Sequence, residues 1–224
     1  MTNNFTRDTK FHKIWHIFES PGMTNGDKKL DKDWFDRFFL GKEIVITEKL
    51  DGENTSFTNQ GVFARSNIPT DSPWSVNLRV DFPYIKNLLS DNEIVFGENL
   101  YGIHSITYNK LPCYWHMFAC YDTNTKIWYS WDDVELMSSI LDRPTVPVLF
   151  RGILNSKKEV LDLINEFMSQ PSTYGVEKEG VVIRLASEIP DDKFTESIVK
   201  YVRPNHVQTP SHWTTNWKQA ELIK

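Results

Sequence analysis

Four short apolar runs, each bordered or interrupted by a charge, limit what this chain can fold into. Ile44-Val45-Ile46 leads into TEKLDGEN (Thr47–Asn54). FGENLYG (Phe96–Gly102) carries Glu98 off a run that begins at Glu93. EKEGVVIR (Glu177–Arg184) places Glu179 at the mouth of a strand, and IVKYVRP (Ile198–Pro204) is interrupted by Lys200. Their length and β-forming content predict strands. Charges on solvated edge strands would explain one or two such cases. Two lysines and two glutamates together suit another arrangement, in which carboxylates hold a divalent metal and amines meet a phosphate.

Helical and strand-like periodicities alternate along the rest of the chain. Trp34, Phe35, Phe38 and Phe39 predict a short helix near Lys32–Phe39, ended by Gly41. NTSFTNQGVFARS predicts a hairpin turning near Asn59–Gly61. The second half of NLRVDFPYIKNLL reads as helical, as do Val134–Leu141 and Lys157–Met168. LPCYWHMFACYD reads as a strand paired with TKIWYSW, and the last third of the tail after Arg203 as a short helix. No Gly-rich βαβ fingerprint and no internal repeat is present. The expected class is therefore α+β with largely antiparallel sheets rather than a doubly wound fold. With 224 residues, and no long Pro/Gly/Ser linker, one domain spanning 1–224 is expected.

The formal charge of −5 argues against a surface that coats nucleic acid throughout, but leaves room for a local basic groove. Cys113 and Cys120 match no common zinc spacing and read as two buried thiols; on one strand they would face opposite ways. The N-terminus has no apolar signal core, and no run approaches membrane-spanning length. A reduced, cytoplasmic setting without membrane attachment is expected.

A lysine attacks phosphorus only after losing its proton, which burial, a neighbouring cation or a metal can promote. A strand-to-turn position would fix Lys49 in a pocket, with Gly52 permitting close approach of backbone or ligand. Alone, K-x-D-G also suits a solvated hairpin end. The ordered set KLDGEN, FGEN, EGVVIR and VKYVR goes further. It resembles the covalent nucleotidyltransferase superfamily of DNA ligases, RNA ligases and capping enzymes, and most closely the ATP-dependent RNA ligases. TEKLDGEN, ENLYGIHSI.Y and KYVRPNHVQT..HW resemble the Deinococcus-type branch in particular.

That resemblance implies a nucleotidyltransferase (ATP-grasp-like ligase adenylation) core of antiparallel sheets flanked by helices. It implies that Lys49 takes AMP from ATP as a lysyl phosphoramidate, with Lys200 at the α-phosphate helping to keep Lys49 unprotonated. Glu48 would face the adenine edge, Phe118 would stack on adenine, and Asn54 would hold the ribose and phosphate region. Asp51 would support later steps at the phosphate or metal. Arg65 would touch the ribose or the incoming 5′-phosphate end. Glu98 would contact the ribose and, with Glu179, a Mg²⁺ or Mn²⁺ ion. Some relatives carry K-x-K where this chain has Lys200 and Arg203. Arg203 would face away from Lys200 on a regular strand, so its part as a second cation toward nucleic acid is doubtful.

His104 matches the family-like motif and is a candidate contact for nucleotide or nucleic acid. His12, His16 and His116 read as ordinary hydrogen-bonded histidines, and His206 and His212 flank VQTPS without enough ligands for zinc. Fewer than fifty residues precede Lys49 and about twenty follow Lys200, so neither an OB nor a helical domain is expected beyond the core. The expected partners are ATP and RNA or an RNA-containing nicked duplex, acted on by a monomer. A small DNA ligase, a capping-type guanylyltransferase and a non-catalytic RNA-end-binding module remain the alternatives.

Overall fold

The structure is a computed structural model and describes residues 9–205 and 213–223. In chain order the elements are β1 (Trp15–His16), α1 (Trp34–Phe38), β2 (Glu43–Lys49), β3 (Glu53–Thr58), β4 (Gly61–Ala64), α2 (Val76–Ile85), β5 (Glu93–Asn99) and β6 (Trp115–Asp122). Then come β7 (Ile127–Trp128), α3 (Trp131–Ile140), β8 (Val148–Ile153), α4 (Lys157–Ser169), β9 (Gly180–Leu185), β10 (Ile189–Pro190), α5 (Phe194–Ser197) and β11 (Ile198–Val202). Two sheets result, ordered β1-β11-β9-β2-β8 and β10-β7-β6-β5-β3-β4. Every pairing is antiparallel except that of β1 with β11. The expected α+β class is what the chain adopts. Among the described residues no helix is long and apolar enough to cross a membrane.

Packing follows the strand alternation. Ile44, Ile46, Val181, Ile183 and Val199 of the five-stranded sheet join Trp34 and Phe35 of α1 and Val160, Ile164 and Phe167 of α4 in one core. Phe57, Val95, Trp115, Met117 and Cys120 of the six-stranded sheet join Leu78 and Ile85 of α2, Val134 and Met137 of α3 and Leu141 just beyond it in another. Fully burying each such side chain contributes about 1.5–3 kcal/mol. Helix starts are locally encoded: Ser130 accepts from Asp133 N at α3, and Ser156 accepts from Glu159 N at α4. α1 ends before Gly41, whose φ of 72° is left-handed and suits a residue without Cβ. The β3–β4 turn is held by Thr58 Oγ1, which accepts from Gln60 N and Gly61 N at 3.1 and 3.2 Å.

Several expectations need correction. α2 starts at Val76, so it takes in most of the segment rather than its second half. Its outward positions Val80 and Tyr84 are apolar, at 73% and 51% exposure, which masks the helical stripe. β8 was not expected at all: Pro147 precedes it, and Arg151 and Gly152 break its apolar run. β7 is only two residues long, because Trp131 begins α3 instead of continuing the strand. Cys113 lies ahead of β6 and is only half-buried, so Cys120 alone is a buried thiol. The tail forms a 3₁₀ turn at Trp213–Asn216. It then runs as an extended strap, with Ala220 N donating to Tyr101 O at 2.8 Å and Ile103 N to Lys218 O at 2.9 Å. Those tertiary hydrogen bonds use the backbone groups a helix would need.

Candidate active site

The two sheets enclose a cleft of about 740 Å³ whose lining includes Lys49, Asn54, Arg65, Glu98, Phe118 and Lys200. Register explains the convergence. Thr47, Val182 and Lys200 lie abreast across β2, β9 and β11, and Lys49, two residues beyond Thr47, shares their face. Asn54, Glu98 and His116 lie abreast across β3, β5 and β6 of the other sheet. A bulge separates the pairs Phe96–Ala119 and Gly97–Met117, leaving Phe118 as the extra residue. Such an insertion re-aims a side chain, and Phe118 reaches the cleft.

Lys49 ends β2, and its Nζ donates to Glu179 Oε2 at 2.5 Å. Burial alone would lower the Lys49 pKa, but the carboxylates of Glu179, Glu98 and Asp51 outweigh it and raise it. Before nucleotide binds, Lys49 is therefore an ammonium and must give up its proton before it can attack. Glu98 accepts from Gly52 N at 3.0 Å. Burial raises its carboxyl to about 7, against the charge of Lys49 and with that of Glu179. Lys200 is shifted down, by burial first and the charge of Lys49 second, while Asp27 and Glu179 oppose the loss of its proton. A Cβ on Gly52 would lie 2.5 Å from Asn99 O, so the turn after Lys49 requires the close backbone approach read from the sequence.

Other candidates are placed less directly. Glu48 also reaches the cleft wall, but its carboxylate accepts from Ser172 Oγ and from Thr173 N at 2.9 Å. Asp51 uses Oδ2 to accept from Ser105 N, Ser105 Oγ and Ile106 N at 2.8, 2.7 and 2.7 Å. It thereby fixes the loop that carries His104, which lines the cleft. Arg203 pairs with Glu177 at 2.7 Å, and its backbone N donates to Glu179 O at 3.0 Å. His12 and His16 are hydrogen-bonded, to Asp191 at 2.7 Å and Ser20 at 2.8 Å. His116 is not: among the described residues neither buried ring nitrogen has a hydrogen-bond partner, and burial lowers its pKa to about 4. His206 and His212 lie outside the described residues.

Lys13, Asp27 and Arg184 are among the cleft residues not assigned from sequence. Arg184 closes the EGVVIR run, so a signal was present. Its guanidinium donates to Tyr129 O at 2.6 Å and Leu185 O at 3.1 Å and lies 5.5 Å from the Trp131 ring centroid. Asp27 and Lys13 sit in an N-terminal segment with no motif to flag them.

Among the described residues no group of three or more His, Cys, Asp or Glu side chains forms a ready metal cage. Glu98 and Glu179 flank Lys49 with hard oxygen donors. That set fits Mg²⁺ or Mn²⁺, since Mg²⁺ takes one or two carboxylates together with water and phosphate oxygens.

The RNA ligase family profile matches residues 42–202. The chain belongs to the RNA ligase family. No curated protein sequence matches it. Among solved structures, this RNA ligase family chain is similar to a Naegleria gruberi RNA ligase with pyrophosphate. The TM-score is 0.61 and the identity 18%, over 91% of this chain and 60% of that one. A putative ATP-dependent DNA ligase from Aquifex aeolicus gives 0.56 and 17%, over 87% and 50%. An archaeal ATP-dependent RNA ligase gives 0.56 and 17%, over 87% and 48%. These likenesses show the nucleotidyltransferase fold of ATP-dependent ligases. The chain spans about half to three-fifths of the length of these structures.

Proposed function

We propose that the protein is an ATP-dependent RNA ligase working through a lysyl-AMP intermediate. The observation that carries this reading is the convergence of Lys49, Glu179, Glu98 and Lys200 in one cleft of an RNA ligase family chain. Lys49 Nζ attacks the α-phosphorus of ATP. A P–N bond forms, the bond to the bridging oxygen breaks, and pyrophosphate leaves. A 5′-phosphate oxygen then displaces the lysine, giving an adenylylated end. A 3′-hydroxyl oxygen displaces AMP and seals the strand, with nicks as the proposed substrate. A point mutant of Naegleria gruberi RNA ligase has been solved with ATP and manganese, which supports the same co-substrate and metal class here.

Phosphoryl transfer depends mainly on positioning and charge stabilisation. The protein's own groups divide that work. Glu179 Oε2 is the nearest acceptor for the proton Lys49 must shed. Lys200, abreast of Thr47 on the same face, offers a cation to the phosphate, and Phe118 and Val182 line the space for the base. Arg65 lines the cleft from beyond β4 and is the proposed contact for ribose or the 5′-phosphate end. A divalent ion held by Glu98 and Glu179 would add Lewis-acid charge at the phosphate. The sequence likeness of the ENLYGIHSI.Y segment is what supports a Deinococcus-type affinity; in the fold, Asp51 accepts from the Ser105 and Ile106 backbone within it.

The test is a denaturing gel after incubation with labelled ATP and Mg²⁺. The wild type should carry a covalent AMP label and Lys49→Ala none; equal labelling of the two would overturn the assignment. GTP in place of ATP separates a capping-type enzyme. Nicks with RNA or DNA on the 3′-hydroxyl side separate RNA from DNA ligation.

A further inference from the structure

The segment before residue 42 lies outside the family-matched region, yet it builds part of the cleft. β1 runs parallel to β11 with His16 opposite Lys200. Ile17 N donates to Lys200 O and Gly22 N to Val202 O, both at 2.9 Å. The chain then turns through Thr24–Asp27. Asp27 N donates to Thr24 O at 3.0 Å, while Thr24 N and Oγ1 donate back to Asp27 Oδ2 at 2.9 and 2.8 Å. This closed turn fixes the carboxylate. Its Oδ1 lies 3.3 Å from Lys13 Nζ and 3.9 Å from Lys200 Nζ, and His16 Nε2 lies 3.5 Å from Oδ2. The Asp27 side chain is only 12% exposed, so water screens these contacts weakly.

We propose that Asp27 is the positioning residue for Lys200, holding its ammonium group at the cleft in its charged form. The proposal rests on the reading of Lys200 as a phosphate contact. Lys200 stands near two cations, Lys49 and Arg65, and two carboxylates, Glu179 and Asp27. Glu179 pairs with Lys49 at 2.5 Å. Among the described residues Asp27 is the one carboxylate within ion-pair distance of Lys200. Burial alone would raise the Asp27 carboxyl, but Thr24's donors, the charge of Lys200 and the hydrogen bond from Lys13 outweigh it and hold Asp27 ionised well below the usual carboxylate range. The negative partner is therefore permanent across the working pH, whereas burial and Lys49 both favour a neutral Lys200. A neutral amine there would lose its charge-assisted bond to phosphate.

The test is a pH titration of ¹³C-labelled lysine side chains by NMR, with Lys200→Arg used to assign the Lys200 signal. Removing a negative charge lowers a lysine pKa, so Asp27→Asn should move the Lys200 midpoint down by about one pH unit. Asp27→Glu should restore most of the shift. Thr24→Val, which keeps the charge but loosens its orientation, should give a smaller shift of the same sign. The alkaline limb of lysyl-AMP formation, in single turnover, should move toward lower pH in parallel. A Lys200 midpoint unchanged in folded Asp27→Asn and Thr24→Val, or an unmoved alkaline limb, overturns the proposal. If the wild type forms no adduct, the ligase reading falls while the NMR titration still decides the pairing.

Discussion

On the five-stranded wall of the cleft, Lys49 and Lys200 stand beside carboxylates brought from outside the sheet's strands. Glu179 comes from the turn before β9 and Asp27 from the N-terminal turn. On the six-stranded wall, Glu98 and His116 lie abreast on β5 and β6 without an ion pair among the described residues. Their environment pulls both toward neutrality: Glu98 rises to about 7 and His116 falls to about 4. Burial acts on both walls, so the difference is the counter-charge. A buried group keeps its charge where a loop brings an opposite charge into direct contact, as Glu179 does for Lys49, and is pulled toward neutrality where burial outweighs the charges around it, as at Glu98.

The comparison can be broken most directly at Glu179. Replacing it with Ala leaves the Lys49 ammonium without its partner, and should cost about 3–5 kcal/mol of stability at neutral pH, read by urea denaturation. A loss below about 1 kcal/mol would mean that the pair is not what holds this wall.

His116 tests the other wall. Its folded pKa lies below the unfolded value, so the neutral ring's contribution is fully present above pH ~6.5 and is lost as pH falls through ~4. At pH 4 the loss should be about 3 kcal/mol. His116→Leu should flatten the stability profile between pH 6.5 and 4; an unchanged slope would place the acid sensitivity elsewhere.

Asp51 sharpens the boundary between chemistry and scaffolding. Asp51→Ala removes one shared acceptor from two backbone N–H groups and a hydroxyl in the 105–106 loop, and should cost about 2 kcal/mol in thermal or urea melts. Hydrogen exchange at Ser105 and Ile106 should rise selectively. The smallest effect belongs to Arg203, whose Glu177 partner is half exposed. Arg203→Ala should change stability by no more than about 0.5 kcal/mol, and lysyl-AMP yield should stay within about twofold. A large drop in yield would restore Arg203 as a second phosphate cation.

Much of the site was legible before folding because its signals are local. A lysine ending an apolar run and followed by Asp-Gly is written in eight residues, as is a glutamate opening EGVVIR. The α+β class followed from mixed periodicities without a Gly-rich fingerprint. The illegible parts have in common that their cause lies far away in the chain. Phe118 could not be told from its aromatic neighbours until a bulge set the register of β6 against β5. β8 is an edge strand whose Arg151 pairs with Glu43 at 2.9 Å, a contact across the sheet that no local pattern announces. The tail's final turn became a strap because Tyr101 and Ile103 compete for its backbone.

The sequence by itself determined which residue types stand at strand ends, since alternation and apolar runs depend on near neighbours. Tertiary structure decided their charge. Lys49 and Glu179 are 130 positions apart, and Asp27 reaches Lys200 only through the parallel pairing of β1 with β11. Electrostatic energy depends on separation in space and on burial, so the protonation state of Lys49 became definite only when the chain had closed around it.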